Sequence, residues 1–348
     1  MIKILHSGDW HLDAPLQGRP QADFLRHELE KLPGKIARLC RDEACDLMLL
    51  SGDLFDGAYS RSSYRAVYEA LESVKIPVFI APGNHDYISP DSPYEKEVWP
   101  ENVFIFTKQQ IRRVDVPELG CCVYGAGFQS MDCPALLEGF RAEGLSVGVF
   151  HGDPAQVNSP YNPVTRQQVV DSGLSYLALG HVHKGGAFRA GETLCAWPGC
   201  PMGKGWDETD EKGVLIVTLD ETVQAKFISL DVPKFHDLTV DIQQGLGSVM
   251  PGSGNEDFYR VSLVGEAETV DLEAIKAEFS AFPNLELRNH TVKPVDLWQS
   301  LGQDSFEGVY FGLLKEALSR ADGEEAEQIL LAARISRQLL DGQEVALP

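Results

Sequence analysis

The sequence predicts an α/β fold, and three observations lead to that prediction. Short apolar runs at residues 2–5, 46–50 and 76–81 are typical of buried strands. Residues 22–44 and 62–74, which lie between those runs, carry apolar side chains at helical spacing. Each apolar run is followed by a glycine and by polar residues. Strands that alternate with helices form layered α/β proteins, in which reactive groups gather beyond the carboxyl ends of the strands.

The turns after the first three strands carry residue types that bind metals. In chain order, these turns present Asp9 and His11, then Asp53, then Asn84 and His85. The first helix contains a proline-glycine pair at residues 33–34, which is expected to interrupt or kink it. The same arrangement of strand, turn and polar residue therefore occurs three times before residue 90.

The middle of the chain is richer in short β-type runs. Residues 103–127 contain three of them, separated by turn residues, and predict antiparallel strands. Apolar strands at residues 145–150 and 176–179 follow, and they lead to His151 and to the pair His181 and His183. Further runs predict hairpins that complete a second sheet, at residues 187–197, 213–219 and 223–230.

The pattern changes near residue 233. Residues 236–292 predict a strand, a second strand, a helix and a third strand, as in a small separate α/β module, and residues 304–340 predict two helices. The expected domains are residues 1–232, 233–300 and 301–348. The apolar stripes of the last two helices fit either packing onto their own domain or binding of a partner protein.

Composition limits the classes of function. The formal net charge is −22, which argues against a broad basic groove for nucleic acid, although a metal centre can still attract phosphate on an acidic protein. No apolar run approaches the roughly 20 residues needed to cross a bilayer. Because residues 2–5 enter a strand directly, we expect a cytoplasmic protein without a membrane segment. The seven cysteines include no C-x-x-C pair, which indicates reduced thiols.

The polar residues at the strand ends form one candidate site. Its members are Asp9, His11, Asp53, Asn84, His85, His151, His181 and His183, which supply seven candidate metal ligands. Carboxylate, imidazole and amide ligands without cysteine suit Mn²⁺, Fe²⁺ or Zn²⁺ better than calcium or copper. Seven candidate ligands exceed the needs of one tetrahedral ion and fit two ions that share a carboxylate. Taken separately, each motif also fits a satisfied polar pair or ordinary turn chemistry, whereas His6 is expected in the core and Asp13 in a turn.

The order of these motifs resembles that of the calcineurin-like metallophosphoesterases: Asp-x-His, Gly-Asp, Gly-Asn-His-Asp, His and Gly-His-x-His. The resemblance implies a four-layer αββα sandwich with a small α/β capping domain and C-terminal helices. It further implies that Asp9, His11 and His183 hold one metal, that Asn84, His151 and His181 hold the other, and that Asp53 bridges them. His85 would then face the scissile phosphate as a catalytic residue, oriented by Asp56 or Asp86.

Within that superfamily, three segments are similar to the SbcD-type DNA repair exonucleases. They are Gly-Asp-Trp-His-Leu, Gly-Asp-Leu-Phe-Asp and the loop at residues 199–213. This resemblance implies a manganese-dependent DNA exonuclease or endonuclease that dimerises and acts with an SbcC-like coiled-coil ATPase, docked on the final helices. The alternatives are a small-molecule phosphoesterase, for example one acting on cyclic nucleotides, and a non-enzymatic scaffold.

Overall fold

The protein contains fifteen strands and seven α-helices in the computed structural model, which describes residues 1–19 and 21–342. In chain order the strands are β1 (Ile2–Ser7), β2 (Leu47–Leu50), β3 (Val78–Ile80), β4 (Val103–Ile105), β5 (Arg112–Val116), β6 (Cys121–Gly125), β7 (Ser146–His151), β8 (Tyr176–Gly180), β9 (Lys184–Ala190), β10 (Thr193–Gly199), β11 (Gly213–Leu219), β12 (Gln224–Ser229), β13 (Phe235–Asp241), β14 (Phe258–Val264) and β15 (Asn284–Asn289). The helices are α1 (Ala22–Asp42), α2 (Arg61–Val74), α3 (Pro93–Lys96), α4 (Arg166–Ser172), α5 (Leu272–Glu278), α6 (Phe306–Leu318) and α7 (Gly323–Leu340).

Two six-stranded sheets form the larger part of the fold. Their strand orders are β12-β11-β1-β2-β3-β4 and β5-β6-β7-β8-β10-β9. Along β2, Leu47 and Leu49 pack into the core between the sheets, whereas Met48 and Leu50 pack into the core under α1 and α2. This alternation is the period of two that a strand imposes on its side chains. The far side of the second sheet packs against α4, so the layers are helices, sheet, sheet and helix, as the family resemblance implies.

Several predicted elements form with nearly the predicted bounds, but three expectations are wrong. The first is an interruption of α1, since the helix runs through the proline-glycine pair; a kink at this pair stays a prediction. Pro33 removes one helical hydrogen bond, yet it is itself buried on a face that includes Leu29, Leu32 and Ile36. Burial of this apolar face holds the helix together across the proline.

The second wrong expectation is the strand pairing in the middle of the chain. Among the three runs between residues 103 and 127, only β5 and β6 pair antiparallel. The strand β4 pairs parallel with β3 in the first sheet, and β6 pairs parallel with β7 in the second. The segments between β3 and β4 and between β6 and β7 are long enough to return the chain to the same end of the sheet, which parallel pairing requires.

The third wrong expectation concerns the last hairpin of the sandwich. The hairpin β9–β10 does join the second sheet, but β11–β12 joins the first, where β11 pairs antiparallel with β1.

Helix α4 is an element that the sequence patterns do not predict. It begins with a capping box in which Thr165 and Gln168 bond to each other's backbone N–H.

Beyond the sandwich, β13, β14 and β15 form a three-stranded sheet, and α6 and α7 pack on each other. The chain divides into two compact units: the first comprises Met1–Asp237, Gly254–Arg260 and Ala281–Glu286, and the second comprises Leu238–Ser253, Val261–Ser280 and the chain from Leu287 onward. The expected domain boundaries after residues 232 and 300 remain a prediction, and residues 343–348 of the last expected segment lie outside the described residues. Within the described residues, every helix is too short or too polar to cross a membrane.

Candidate metal centre

The candidate site lies beyond the carboxyl ends of five strands. The parallel strands β1, β2 and β3 of the first sheet end there, as do the parallel strands β7 and β8 of the second. Each strand is followed by, or ends in, one or more of the predicted ligands. Side chains up to 172 residues apart in the chain therefore meet at hydrogen-bond distance.

The backbone at this site adopts conformations that L-residues avoid. The φ angles are 54° at Asp9, 49° at His11, 50° at Asp53 and 95° at His181. Each such residue costs on the order of 1–3 kcal/mol and persists only where the surrounding structure holds it. Four of the nine non-glycine residues with a positive φ in the described parts of the chain are predicted ligands, and such clustering is typical of a functional site.

Close backbone approach brings the two sheets together at this edge. A Cβ atom on Gly83 would overlap Oδ1 of Asp53 and lie 2.8 Å from Nδ1 of His151. At Gly52, which has a φ of 95°, a Cβ would lie 2.8 Å from the Ala81 carbonyl oxygen. Both positions need glycine because any side chain would occupy the space of the predicted ligands.

Asp9, His11 and His183 form a first cluster. Their ligand atoms lie within 4.8 Å of one another, and the Nε2 atoms of His11 and His183 are 3.0 Å apart. Oδ1 of Asp9 accepts the backbone N–H of His181 at 2.8 Å, whereas the buried Oδ2 has no hydrogen-bond partner among the described residues. An unsatisfied carboxylate oxygen beside two converging imidazole nitrogens fits a divalent cation.

Asn84, His151 and His181 form a second cluster. Oδ1 of Asn84 lies 2.9 Å from Nε2 of His151 and 3.2 Å from Nδ1 of His181. The carbonyl of Ser51 accepts a hydrogen bond from Nδ1 of His151 at 2.9 Å, which directs Nε2 into the cluster. Burial lowers the pKa of His151 and the Asp53 carboxylate raises it, to about 9 in the protein alone, so a proton competes with a cation for Nε2.

Asp53 lies between the two clusters. Its Oδ2 is 3.3 Å from Nε2 of His151 and 3.8 Å from Nε2 of His11. Its Oδ1 accepts the backbone N–H of His85 at 2.9 Å, which fixes the carboxylate. The side chain is buried, so the carboxylate faces donors from both clusters rather than solvent.

His85 lies at the rim of the site and pairs with Asp56. Nδ1 of His85 hydrogen-bonds Oδ1 of Asp56, and this bond raises the pKa of the imidazole. The His85 side chain is 43% exposed, so its ring remains accessible from solvent. Of the two carboxylates considered as its partner, Asp86 instead accepts backbone N–H groups of Leu54 and Gly83, each at 2.7 Å.

A cleft of about 580 Å³ begins at His85. Its lining includes the rings of Tyr59 and Tyr87 and the cations of Arg61 and Lys96. Lys96 pairs with Asp91 at 2.6 Å, whereas Arg61 has no ion pair within residues 1–19 and 21–342. A volume of this size is in the range of small-molecule sites.

Sequence reasoning missed Glu208, whose Oε1 lies 2.6 Å from Nδ1 of His183. It lies within the loop at residues 199–213, but nothing in its spacing from His183 signals a contact. It also missed Asn162, whose side-chain amide donates to the His151 carbonyl at 2.9 Å. Of the residues expected outside the site, His6 is buried against Tyr176, and burial lowers its pKa to about 3.

Comparisons with known proteins identify the family of this chain. The family model for calcineurin-like phosphoesterases matches residues 2–185, a range that contains all seven predicted ligands. The chain is 27% identical to YhaO of Bacillus subtilis, an uncharacterized metallophosphoesterase, over 92% of this chain and 88% of that protein. It is 23% identical to the SbcD component of the nuclease SbcCD from the same organism, over 62% of this chain and 66% of that protein. A solved dimetal phosphatase from Danio rerio is 12% identical with a TM-score of 0.46, covering 66% of this chain and 96% of that one.

Proposed function

Because this chain belongs to the calcineurin-like phosphoesterase family, we propose that it is a two-metal phosphodiesterase that cleaves DNA. Members of the family are hydrolases that act on phosphoesters and use divalent metal ions. The observation that carries the two-metal part of this proposal is the convergence of two donor clusters on the Asp53 carboxylate. Two ions that share a carboxylate form a clamp suited to in-line attack at phosphorus.

In this proposal, Asp9, His11 and His183 hold one ion, Asn84, His151 and His181 hold the other, and Asp53 contacts both. When bound, two divalent cations would neutralise charge on the phosphate oxygens and lower the pKa of the attacking water molecule. The donor set contains no cysteine and fits Mn²⁺, Fe²⁺ or Zn²⁺; Mn²⁺ is proposed from the resemblance to the SbcD-type nucleases.

His85 acts as the general acid in this mechanism. Its pairing with Asp56 keeps the ring oriented and favours the protonated form, so it can donate a proton to the oxygen of the leaving group. Such a donor typically contributes about 10²–10⁴-fold to the rate. The adjoining cleft offers space for the part of the substrate that leaves.

Two features bear on the substrate. Similarity to the SbcD component of a nuclease supports DNA as the substrate. Arg61 lines the same cleft as His85 and has no ion pair within the described residues, so its cation suits a second phosphate of a polynucleotide. The net charge of −22 favours instead the second candidate, a phosphoesterase for small molecules such as cyclic nucleotides. A partner that supplies a basic surface would reconcile the acidic chain with DNA.

The proposed partner is an SbcC-like coiled-coil ATPase. The chain has no Gly-rich nucleotide-binding loop of its own. Helix α6 exposes an apolar stripe formed by Phe306, Val309 and Leu313, each more than 60% exposed. Apolar residues at this spacing on one helix face suit the groove or helix of a partner. A homodimer remains part of the proposal on the basis of the resemblance alone.

The substrate is tested with purified protein and Mn²⁺ on three substrates: labelled duplex DNA, a cyclic nucleotide and a chromogenic phosphodiester. We expect cleavage of DNA and of the chromogenic diester, loss of both with a chelator, and at most residual activity for His85→Ala. Hydrolysis of the cyclic nucleotide without cleavage of DNA would establish the second candidate. If the protein binds Mn²⁺ but hydrolyses none of the three substrates, the remaining alternative is the non-enzymatic scaffold.

The partner is tested by co-purification of this chain with an SbcC-like coiled-coil ATPase. We expect Val309→Glu combined with Leu313→Glu to abolish co-purification. Val157→Glu, at a position that is 72% exposed in the first unit, serves as the control and should leave the complex intact. Equal recovery of the ATPase with both variants would exclude the α6 stripe as its dock.

A further inference from the structure

The buried carboxylate of Glu208 has no role in the proposed chemistry, yet it contacts the candidate metal centre. It lies in the loop between β10 and β11, and its Oε1 is 2.6 Å from Nδ1 of His183. Glu208 is only 6% exposed. Burial of an ionised carboxylate is costly unless hydrogen bonds and opposite charge compensate it.

Both forms of compensation come from Lys204. Its backbone N–H donates to Oε2 of Glu208 at 2.6 Å, and its Nζ lies 3.4 Å from Oε1. Nζ of Lys204 is buried and has no hydrogen-bond partner among the described residues. Arg19 donates to the Lys204 carbonyl at 2.6 Å and so ties this part of the loop to the turn after β1. The loop therefore holds the carboxylate in one position against His183.

This contact determines which nitrogen of His183 faces the cluster. A carboxylate only accepts hydrogen bonds, so Nδ1 of His183 carries the proton and Nε2 keeps its lone pair. That Nε2 atom lies 3.0 Å from Nε2 of His11, in the cluster with Asp9. In the second cluster, Nδ1 of His151 donates instead to the neutral carbonyl of Ser51.

A third metal site is the other interpretation of this contact, because His183, Cys200 and Glu208 have ligand atoms within 4.8 Å of one another. The ammonium group of Lys212 lies 3.3 Å from Sγ of Cys200, and that of Lys204 lies beside Glu208. Burial raises the pKa of Cys200 to about 12, so the group is a neutral thiol rather than a thiolate ligand. Two ammonium groups and a thiol disfavour a cation here.

We propose that Glu208 is a positioning residue that strengthens the binding of one cation of the pair, the one held by Asp9, His11 and His183. It acts through His183 by fixing the ring orientation and the tautomer, so that Nε2 faces the cluster. The inference rests on the metal assignment in the proposed function. Loss of such an outer carboxylate typically lowers metal affinity by about 10–100-fold.

The test compares Glu208→Ala, Glu208→Gln and the control Glu211→Gln in the full chain. Glu211 lies in the same loop, but its side chain is 64% exposed and pairs with Lys234. Calorimetric titration with Mn²⁺ counts the ions and gives each affinity, and electron paramagnetic resonance reports the coupling of the Mn²⁺ pair. Circular dichroism verifies that each variant is folded.

We expect wild type and Glu211→Gln to bind two ions with the same affinities. Glu208→Ala should lower the affinity for one ion by about 10–100-fold and leave the affinity for the other unchanged. It should also remove the spin-coupled signal of the Mn²⁺ pair at low Mn²⁺ concentration. Glu208→Gln retains the side-chain volume and a hydrogen-bond acceptor, so it should bind this ion more tightly than Glu208→Ala and more weakly than wild type. If the alanine variant does not fold, Glu208→Gln is compared with wild type alone. The proposal is overturned if both Glu208 variants bind as wild type does, or if a folded variant loses both ions equally.

These measurements use no substrate, so they separate the two proposals. Wild-type protein that binds two ions with this dependence on Glu208 but cleaves no phosphodiester would refute the proposed function and leave the positioning role intact. Wild-type protein that hydrolyses a phosphodiester with two ions bound, but whose metal affinities do not depend on Glu208, would refute the positioning role and leave the proposed function intact.

Discussion

At the scale of single residues, the pair His85 and Asp56 at the rim differs in exposure from the buried candidate ligands. His85 is 43% exposed, whereas Asp9, His11, Asp53 and His151 are buried. A buried donor facing other donors serves to bind a cation, whereas an accessible imidazole with a carboxylate partner suits proton transfer to a substrate. Binding and proton donation should therefore be separable by mutation.

We expect His85→Ala to lower kcat by about 10²–10⁴-fold while Mn²⁺ stoichiometry stays at the wild-type value. Asp56→Asn should lower kcat by a smaller factor, since it weakens the orientation of His85 without removing the ring. Hydrolysis of a chromogenic diester and Mn²⁺ titration measure the two quantities on the same preparations. Loss of an ion in His85→Ala would instead make His85 a ligand, as its proximity to His11 and Asp53 allows.

Gly83 shows how little space the site leaves. We expect Gly83→Ala to displace Asp53 and His151, because its Cβ would overlap or crowd both side chains. The variant should bind fewer Mn²⁺ ions and hydrolyse at least about tenfold more slowly, since small misplacements near the reacting atoms are costly.

The matched control for this substitution is Gly34→Ala in α1, where a Cβ meets nothing within 4 Å. It should leave metal binding unchanged and stabilise the helix by about 0.5–1 kcal/mol. If Gly83→Ala binds as many Mn²⁺ ions as wild type, the turn at Gly83 accommodates an added Cβ more easily than its packing indicates.

At the scale of elements, α6 and α7 are joined by a buried cation. Arg337 on α7 is 1% exposed, and its guanidinium donates to Glu307 and to Ser300, each at 2.8 Å. It also lies over the ring of Phe311, with 4.1 Å from its Cζ to the ring centroid. Removal of one partner of such a network leaves the others unpaired, which is more destabilising than loss of an exposed pair.

We expect Arg337→Ala to lower the Tm of the second unit by roughly 5–10 °C. The control is Arg334→Ala on the same helix, since Arg334 is 46% exposed and pairs with Glu266 at the surface. It should shift the Tm by about 2 °C or less. Thermal melts followed by circular dichroism distinguish the two, and equal shifts would argue against a structural role for the buried guanidinium.

At the scale of the whole molecule, the predicted ligands come from both sheets of the sandwich. A cation bound there connects the ends of β1, β2 and β3 with those of β7 and β8. A ligand that binds the folded state and not the unfolded chain stabilises the fold by about 2.7 kcal/mol at a hundred times its Kd. Metal binding and stability of the first unit should therefore be linked.

We expect a chelator to lower the Tm of the Mn²⁺-loaded first unit by several degrees, with no effect on a transition of the second unit. Asp9→Asn should melt at a temperature that responds less to the chelator, because the variant lacks a carboxylate of the first cluster. Differential scanning calorimetry with and without Mn²⁺ measures both. A wild-type Tm that is insensitive to Mn²⁺ and chelator would count against a metal centre shared by the two sheets.

The sequence by itself determined the fold class, most strands and helices, and the chemical types gathered at the strand ends. These features are encoded locally: apolar periodicity specifies an element, and glycine with polar residues specifies the turn that follows it. The polar residues of the candidate site could be grouped on that basis, because strands that end on the same edge bring their turns together. Their division between two ions, and the separate role of His85, came from the resemblance to the phosphoesterases.

Only the tertiary structure decided the contacts between distant segments. It placed β11 beside β1 rather than in the second sheet, it paired His85 with Asp56 rather than Asp86, and it brought Glu208 to His183. Local patterns carry no information on these choices, because strand partners and side-chain contacts depend on which surfaces exclude water together. The candidate donors of the site could therefore be predicted from the sequence, whereas the side chains that orient them, Asp56 and Glu208, are brought into contact only by tertiary packing.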